Sequence, residues 1–163
     1  MEFDFGCIEP VGFVCSVELS SVGLWLTGGT GNFMAYPITL SAHGLGMMTV
    51  MGVVIAFNLR ILGFAKDISI SAYDRLLMIG WAGFMLNLVS GLLLLTGYFS
   101  TYIFQGSFQL KIALIILGGI LMKVIMNGVR SGRDEKVTML LSVACLASWT
   151  GAIITGRLMA YLQ

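Results

Sequence analysis

Charge is scarce in this chain. Asp, Glu, Lys and Arg make up 10% of its 163 residues, against about 25% in an average soluble domain. There is one histidine, His43, and no carboxylate interrupts the long apolar runs. Those runs therefore lack the groups a buried proton relay or a general acid–base pair would need. No Gly-x-Ser-x-Gly nucleophile elbow occurs. No basic run is long enough for nucleic acid, and the net charge of +1 adds nothing in that direction. Cys7, Cys15 and Cys145 are the only cysteines, with no Cys-x-x-Cys pair and no Cys/His cluster, which excludes a structural zinc site. The start, Met1-Glu-Phe-Asp-Phe5, is acidic where a cleavable signal would be basic, so export of the N-terminus is expected to rest on the first spanning helix. No internal repeat is evident, and without repeats or intramembrane carboxylates the chain is a poor solo transporter.

Apolar sequence is plentiful. Hydrophobic residues make up 58% of the chain and its mean hydropathy is +0.95. A spanning helix needs about 20 apolar residues, and four segments qualify. The first, roughly Pro37–Leu62, carries His43 and ends in Asn58-Leu-Arg60. Pro37 suits a first helical turn, where its missing N–H costs nothing. The second runs from about Leu76 to Tyr98, the third from Phe108 to Asn127 and the fourth from Val137 to Tyr161. Short connections between them predict an all-α, up-down-up-down four-helix membrane bundle over residues 32–163. Residues 1–31 form a separate periplasmic or interfacial segment. Within it Val11–Leu26 is read as a short helix lying in the interface with Trp25 as anchor, a fifth span being the alternative. Gly28-Gly-Thr-Gly31 breaks the chain before the first span, without the strand and acidic partner of a nucleotide loop. Cys7 and Cys15 are read as small apolar residues of that segment, a disulfide being open to them if it is extracytoplasmic.

Alternation of the spans places Arg60, Lys66, Arg75, Lys123, Arg130, Arg133 and Lys136 on one side and only Lys111 and Arg157 on the other. By the positive-inside rule the richer side is cytoplasmic, which puts both termini in the periplasm of a bacterial inner-membrane protein. Arg60 and Trp81 are the expected cytoplasmic anchors, and Arg60 has Asp74 within reach across the first connection.

Two stripes of small residues mark packing faces: Gly83, Asn87 and Gly91 in the second span, and Ala147, Gly151 and Thr155 in the fourth. Small residues let helices approach closely in lipid, and a buried Asn bonds across the contact. Such stripes also make a homo-oligomer, or a subunit of a membrane complex, the expected assembly.

One constellation could hold a ligand. His43 falls in the outer half of the first span, and Lys111 and Arg157 at the outer ends of the third and fourth. One imidazole with two cations suits a b-type haem, the histidine on the iron and the cations on the propionates. A quinone or an anionic lipid headgroup fits the same set. Gly44 and Gly46 would leave room beside His43. The plainer account has the cations snorkelling to headgroups and His43 bonding a backbone carbonyl. Met47 and Met51 share a helical face with His43, a copper(I) set in principle, but in a chain with 11 methionines they are read as packing.

The series Leu40-Ser-Ala-His43-Gly-Leu-Gly46, Asn58-Leu-Arg60-Ile-Leu-Gly63, Trp81-Ala-Gly-Phe84, Ser90-Gly-Leu-Leu-Leu-Leu95, Phe108-Gln-Leu-Lys111 and Gly156-Arg157-Leu-Met-Ala-Tyr161 resembles, in order and spacing, a family of small bacterial four-helix membrane proteins of unknown function. The resemblance covers Val17 to Tyr161 and implies that His43, Arg60, Trp81, Lys111 and Arg157 match the family pattern; it implies no activity. The chain departs from that pattern at Asn58, where members often carry Asp, and at Met126, near where they often carry a second histidine. That position would lie on the side opposite His43, so the two would not clasp one metal, and its absence here counts against a two-histidine redox reading. The expected function is a non-catalytic structural or accessory membrane subunit, with a haem- or quinone-binding electron-transfer module as the alternative.

Overall fold

The computed structural model describes residues 7, 12–64, 67–69, 72–159 and 161. Those residues are all-α, in seven helices: α1 Gly12–Glu18, α2 Ser21–Thr27, α3 Ala35–Ile61, α4 Ala72–Gly97, α5 Phe99–Ile103, α6 Gly106–Arg130 and α7 Glu135–Leu158. Four of them, α3, α4 over Arg75–Gly97, α6 and α7, are long and apolar enough to cross a membrane. At about 1.5 Å rise per residue they exceed the roughly 30 Å hydrocarbon core. The protein is a multi-pass membrane protein of the helical-bundle class, and the four expected spans are these four helices.

The N-terminal segment differs from expectation. Instead of one helix over Val11–Leu26 there are two, each of seven residues. Ser20 separates them: its side chain accepts from the Gly23 N–H at 3.2 Å and starts α2 afresh. Each helix is about 10 Å long, well short of the roughly 30 Å hydrocarbon core. Cys7 and Cys15 are joined in a disulfide, so the reading of them as two free apolar residues is corrected. The aromatic connection after α4 also contains a short helix, α5, whose exposed N–H groups find an acceptor. The Glu18 carboxylate takes the Ser100 N–H at 3.0 Å and its hydroxyl at 2.6 Å.

The chain forms two compact units, Met1–Met48 with Ala82–Gln105, and Thr49–Trp81 with Gly106–Gln163. In the first unit, Phe13 of α1 meets Phe99 of α5 edge-on at 6.1 Å. Leu26 of α2 is 1% exposed and sits on Gly97, where an added Cβ would come within 2.8 Å of its Cδ2. Tyr36, Tyr98 and Tyr102 form an aromatic chain with ring separations of 6.1 and 6.0 Å. Burial, and after it the nearby Tyr36 and Glu18, push the Tyr98 phenol above its ordinary value, so it stays neutral at physiological pH.

In the second unit the later part of α3 runs against the start of α4. Val53 lies on Gly80, and Phe57 meets Tyr73 at 5.9 Å. Helices α6 and α7 form an antiparallel hairpin. The inner face of α7 is Thr138, Ser142, Cys145, Ser148, Ala152 and Thr155, all buried, while Leu140, Val143, Ile154 and Leu158 face outward. Small and hydroxyl-bearing residues point in and large apolar ones point out, as lipid demands. Of the expected stripe Ala147, Gly151 and Thr155, Thr155 belongs to the buried row and Gly151 packs on Leu114, while Ala147 is exposed. Trp149 packs its indole on Gly118, and Ser148 donates to the Leu114 carbonyl at 2.8 Å.

Two helices of this unit end in the same way. Gly63 after α3 and Gly132 after α6 take positive φ, +100° and +70°. The next residue then donates back into the last turn: Phe64 to Leu59 at 3.0 Å and Arg133 to Gly128 at 2.9 Å. These are Schellman closures, which satisfy carbonyls the helix leaves open. Asp134 then caps α7 by accepting from the Lys136 N–H at 3.0 Å.

Asn58 is 0% exposed inside this unit. Its Nδ2 donates to the Val54 carbonyl at 2.8 Å and lies 3.8 Å from Cys145 Sγ and 4.0 Å from Met122 Sδ, while Oδ1 has no partner among the described residues. Val54 O is also in position for the ordinary helical bond, so losing the side-chain donor strands nothing there. Asn58→Leu is therefore expected to hold or raise stability, by up to about 2 kcal/mol, because it removes an unpaired buried carbonyl. Thermal unfolding in detergent would show it; a large drop would mean that Oδ1 has a partner in the folded protein.

Candidate functional site

The first unit contains a polar joint between α3 and α4. His43 Nδ1 lies 3.0 Å from the Asn87 carbonyl and 3.3 Å from Ser90 Oγ. A carbonyl can only accept, so Nδ1 carries the proton and donates. Asn87 returns the bond: its Nδ2 donates to the His43 carbonyl at 2.8 Å. Ser90 Oγ donates to Leu86 O at 2.6 Å. Each helix thus gives the other both a side chain and a backbone carbonyl.

Glycines make that reciprocity possible. A Cβ on Gly46 would stand 2.6 Å from Asn87 N and 2.8 Å from Gly83 O, both backbone atoms of α4. A Cβ on Gly91 would stand 2.9 Å from His43 Cε1. Gly83, Asn87 and Gly91 therefore line the face of α4 that meets α3. The space expected beside His43 at Gly46 is filled by α4 backbone, which corrects that part of the ligand-pocket reading. Among the described residues Gly44 has nothing within 4 Å of its Cβ position.

Lys111 and Arg157 belong to the second unit and His43 to the first. Lys111 is partly buried and lies along α7 at Gly156, where a Cβ would be 3.3 Å from both its Cε and its Nζ. Arg157, one residue on, is exposed. Gly151 takes the Leu114 side chain, its Cβ position 3.1 Å from Cδ1. Met47 falls in the first unit and Met51 in the second, both partly buried. Among the described residues no three His, Cys, Asp or Glu side chains gather in a metal-binding group.

Arg60 closes the end of α3, its Nε donating to the Ile68 carbonyl at 2.8 Å. The Asp74 side chain, its expected partner, lies outside the described residues, as does Lys66. Trp81 is 64% exposed along α4. Sequence reasoning missed Ser90 as a partner of His43, and Ser148 and Cys145 as inward groups. The spacing of hydroxyl and small residues along α7 was the available signal. Comparison with family models, with characterised proteins and with solved structures found no match to this chain.

Proposed function

We propose that this chain is a small non-catalytic integral membrane protein of the bacterial inner membrane, working as an oligomeric or accessory subunit of a membrane complex. The reciprocal His43–Asn87 joint carries the reading: the one intramembrane imidazole has its Nδ1 engaged in holding two helices together. Other buried hydroxyls likewise bond helix backbone, Ser148 to the Leu114 carbonyl and Thr155 to the Gly151 carbonyl. The spanning helices keep most of their surface outward, with 11% to 28% of each apolar window buried. That surface is available to lipid, to further copies of the chain or to other subunits. Both termini lie on the periplasmic side; the seven-to-two placement of cations supports this, and so does the Cys7–Cys15 disulfide, which persists in an oxidising compartment. Lys111 and Arg157 reach toward headgroups at the same side.

A haem- or quinone-binding electron-transfer module is the second reading. One observation favours it: a proton on Nδ1 places the lone pair of His43 on Nε2, the tautomer an iron or a quinone hydroxyl requires. Visible spectra of the gently purified protein, oxidised and dithionite-reduced, separate the two. The expected result is no Soret band, with the chain recovered as a multimer or with companion subunits by native mass spectrometry. A Soret band at one haem per chain that His43→Ala abolishes would overturn the accessory-subunit reading.

A further inference from the structure

A second polar feature lies within the second unit, where α3 and α6 end and α7 begins. Arg60, Ile61, Val129, Arg133, Glu135 and Thr138 line a cavity of about 200 Å³. This is below the roughly 300–1,000 Å³ of pockets that hold whole small molecules. It suits a headgroup rather than a cofactor.

The fold sets both guanidinium groups in place. The Schellman closure at Gly132 turns the chain so that Arg133 folds back over α6. Its Cδ, Nε and Cζ would lie 3.3 to 3.4 Å from a Cβ on Gly128. Any larger residue at 128 would crowd that side chain. Among the described residues the Arg133 guanidinium has no hydrogen-bond acceptor. Arg60 spends Nε on Ile68 O at 2.8 Å, which orients its plane and leaves its terminal nitrogens for another group. Among the described residues that line the cavity Glu135 is the one carboxylate, so the two arginines give that lining a net positive charge.

Planar guanidinium groups bind phosphate oxygens in pairs, and paired cations at the ends of spanning helices meet lipid headgroups. We infer that this cavity is a phosphate-binding site, with Arg60 and Arg133 as its two donors, suited to the phosphodiester of an acidic phospholipid or to free inorganic phosphate. The site is separate from the His43 joint and does not depend on the function proposed above.

The test is a titration of the full-length protein in neutral detergent, read by its unfolding temperature and by intrinsic tryptophan fluorescence. The probes are a short-chain phosphatidylglycerol, the matching phosphatidylcholine, and sodium phosphate against sodium chloride at equal ionic strength. Saturable binding of phosphatidylglycerol without phosphatidylcholine assigns the site to an acidic lipid; saturation by sodium phosphate as well assigns it to the phosphate group itself. In either case Arg60→Gln and Arg133→Gln are expected to weaken binding at least tenfold. Lys136→Gln makes the same charge change outside the cavity lining and is expected to leave binding within twofold. Failure of the wild-type protein to saturate with either phosphate source would overturn the inference, whatever the variants do. So would a loss in Lys136→Gln equal to that in Arg133→Gln, which would reduce the effect to net charge.

Discussion

Gly46→Leu will cost the protein about 3 kcal/mol or more and abolish its normal unfolding transition, while Gly44→Ala, two residues away on α3, will leave it as stable as before or more so. The contrast follows from what each Cβ would meet. At Gly46 the obstacles are Asn87 N at 2.6 Å and Gly83 O at 2.8 Å, backbone that moves only if α4 moves. Overpacking a well-filled contact costs about 1–3 kcal/mol when side chains can yield, and here they are not what is in the way. Shifting α4 also pulls the Asn87 carbonyl from His43 Nδ1 and the His43 carbonyl from Asn87 Nδ2, now 3.0 and 2.8 Å apart. At Gly44 nothing lies within 4 Å, and alanine gains about 1 kcal/mol of helix propensity over glycine. Unfolding curves in mixed detergent for both variants would check this. Equal stability of the two would mean that α3 and α4 do not meet at Gly46.

Reducing the Cys7–Cys15 disulfide will lower stability by about 2–3 kcal/mol, the loop-entropy value for so short a closed loop. The two cysteines are eight residues apart in sequence. The loop ends inside α1, which carries Phe13 to its contact with Phe99 and leads into Glu18, the acceptor for Ser100. Loosening it therefore also loosens α5. Thiol counting by a mass-tagged maleimide under denaturing conditions should report one reactive cysteine, Cys145, before reduction and three after. Three before reduction would show that the bond does not form in the cell. A melting temperature that ignores dithiothreitol would show that it forms but constrains nothing of consequence.

The four long helices were legible because entry into lipid is decided by summed hydropathy over about 20 residues, a quantity the sequence displays openly. Their neighbours were harder to read. On α7 apolar residues occur on every side, so hydrophobic periodicity does not point inward. Of the expected row, Thr155 is buried and Gly151 meets Leu114, but Ala147 is exposed, and the buried row continues through Thr138, Ser142, Cys145, Ser148 and Ala152. Hydroxyl groups mark that face better than small size alone. Gly83, Asn87 and Gly91 were legible as a contact stripe, but their partner, His43 with Gly46, was not. Pairing is a property of two helices and the stripe lies on one. The break at Ser20 turns on one side-chain oxygen reaching one N–H, a local competition that a smooth hydropathy profile averages away. Arg60 and Arg133 are far apart in sequence; the bond to the Ile68 carbonyl orients the first, the closure at Gly132 turns the second back over α6, and both line one cavity.

The inward row of α7 separates two decisions that a water-soluble helix makes together. In water the same apolar stripe drives burial and selects the neighbour. Here Leu140, Val143, Ile154 and Leu158 commit the helix to lipid without naming a partner, and Ser142, Cys145, Ser148 and Ala152 choose the partner by shape and by weak bonds. Hydrogen bonds between membrane helices average only about 0.6 kcal/mol, so recognition is spread over many small terms. A helix can then be fully inserted while still unpaired. The inserted but unassembled chain is a distinct state, and quality control in the membrane would have to recognise it by its exposed small and hydroxyl residues, since its hydrophobicity is the same before and after assembly.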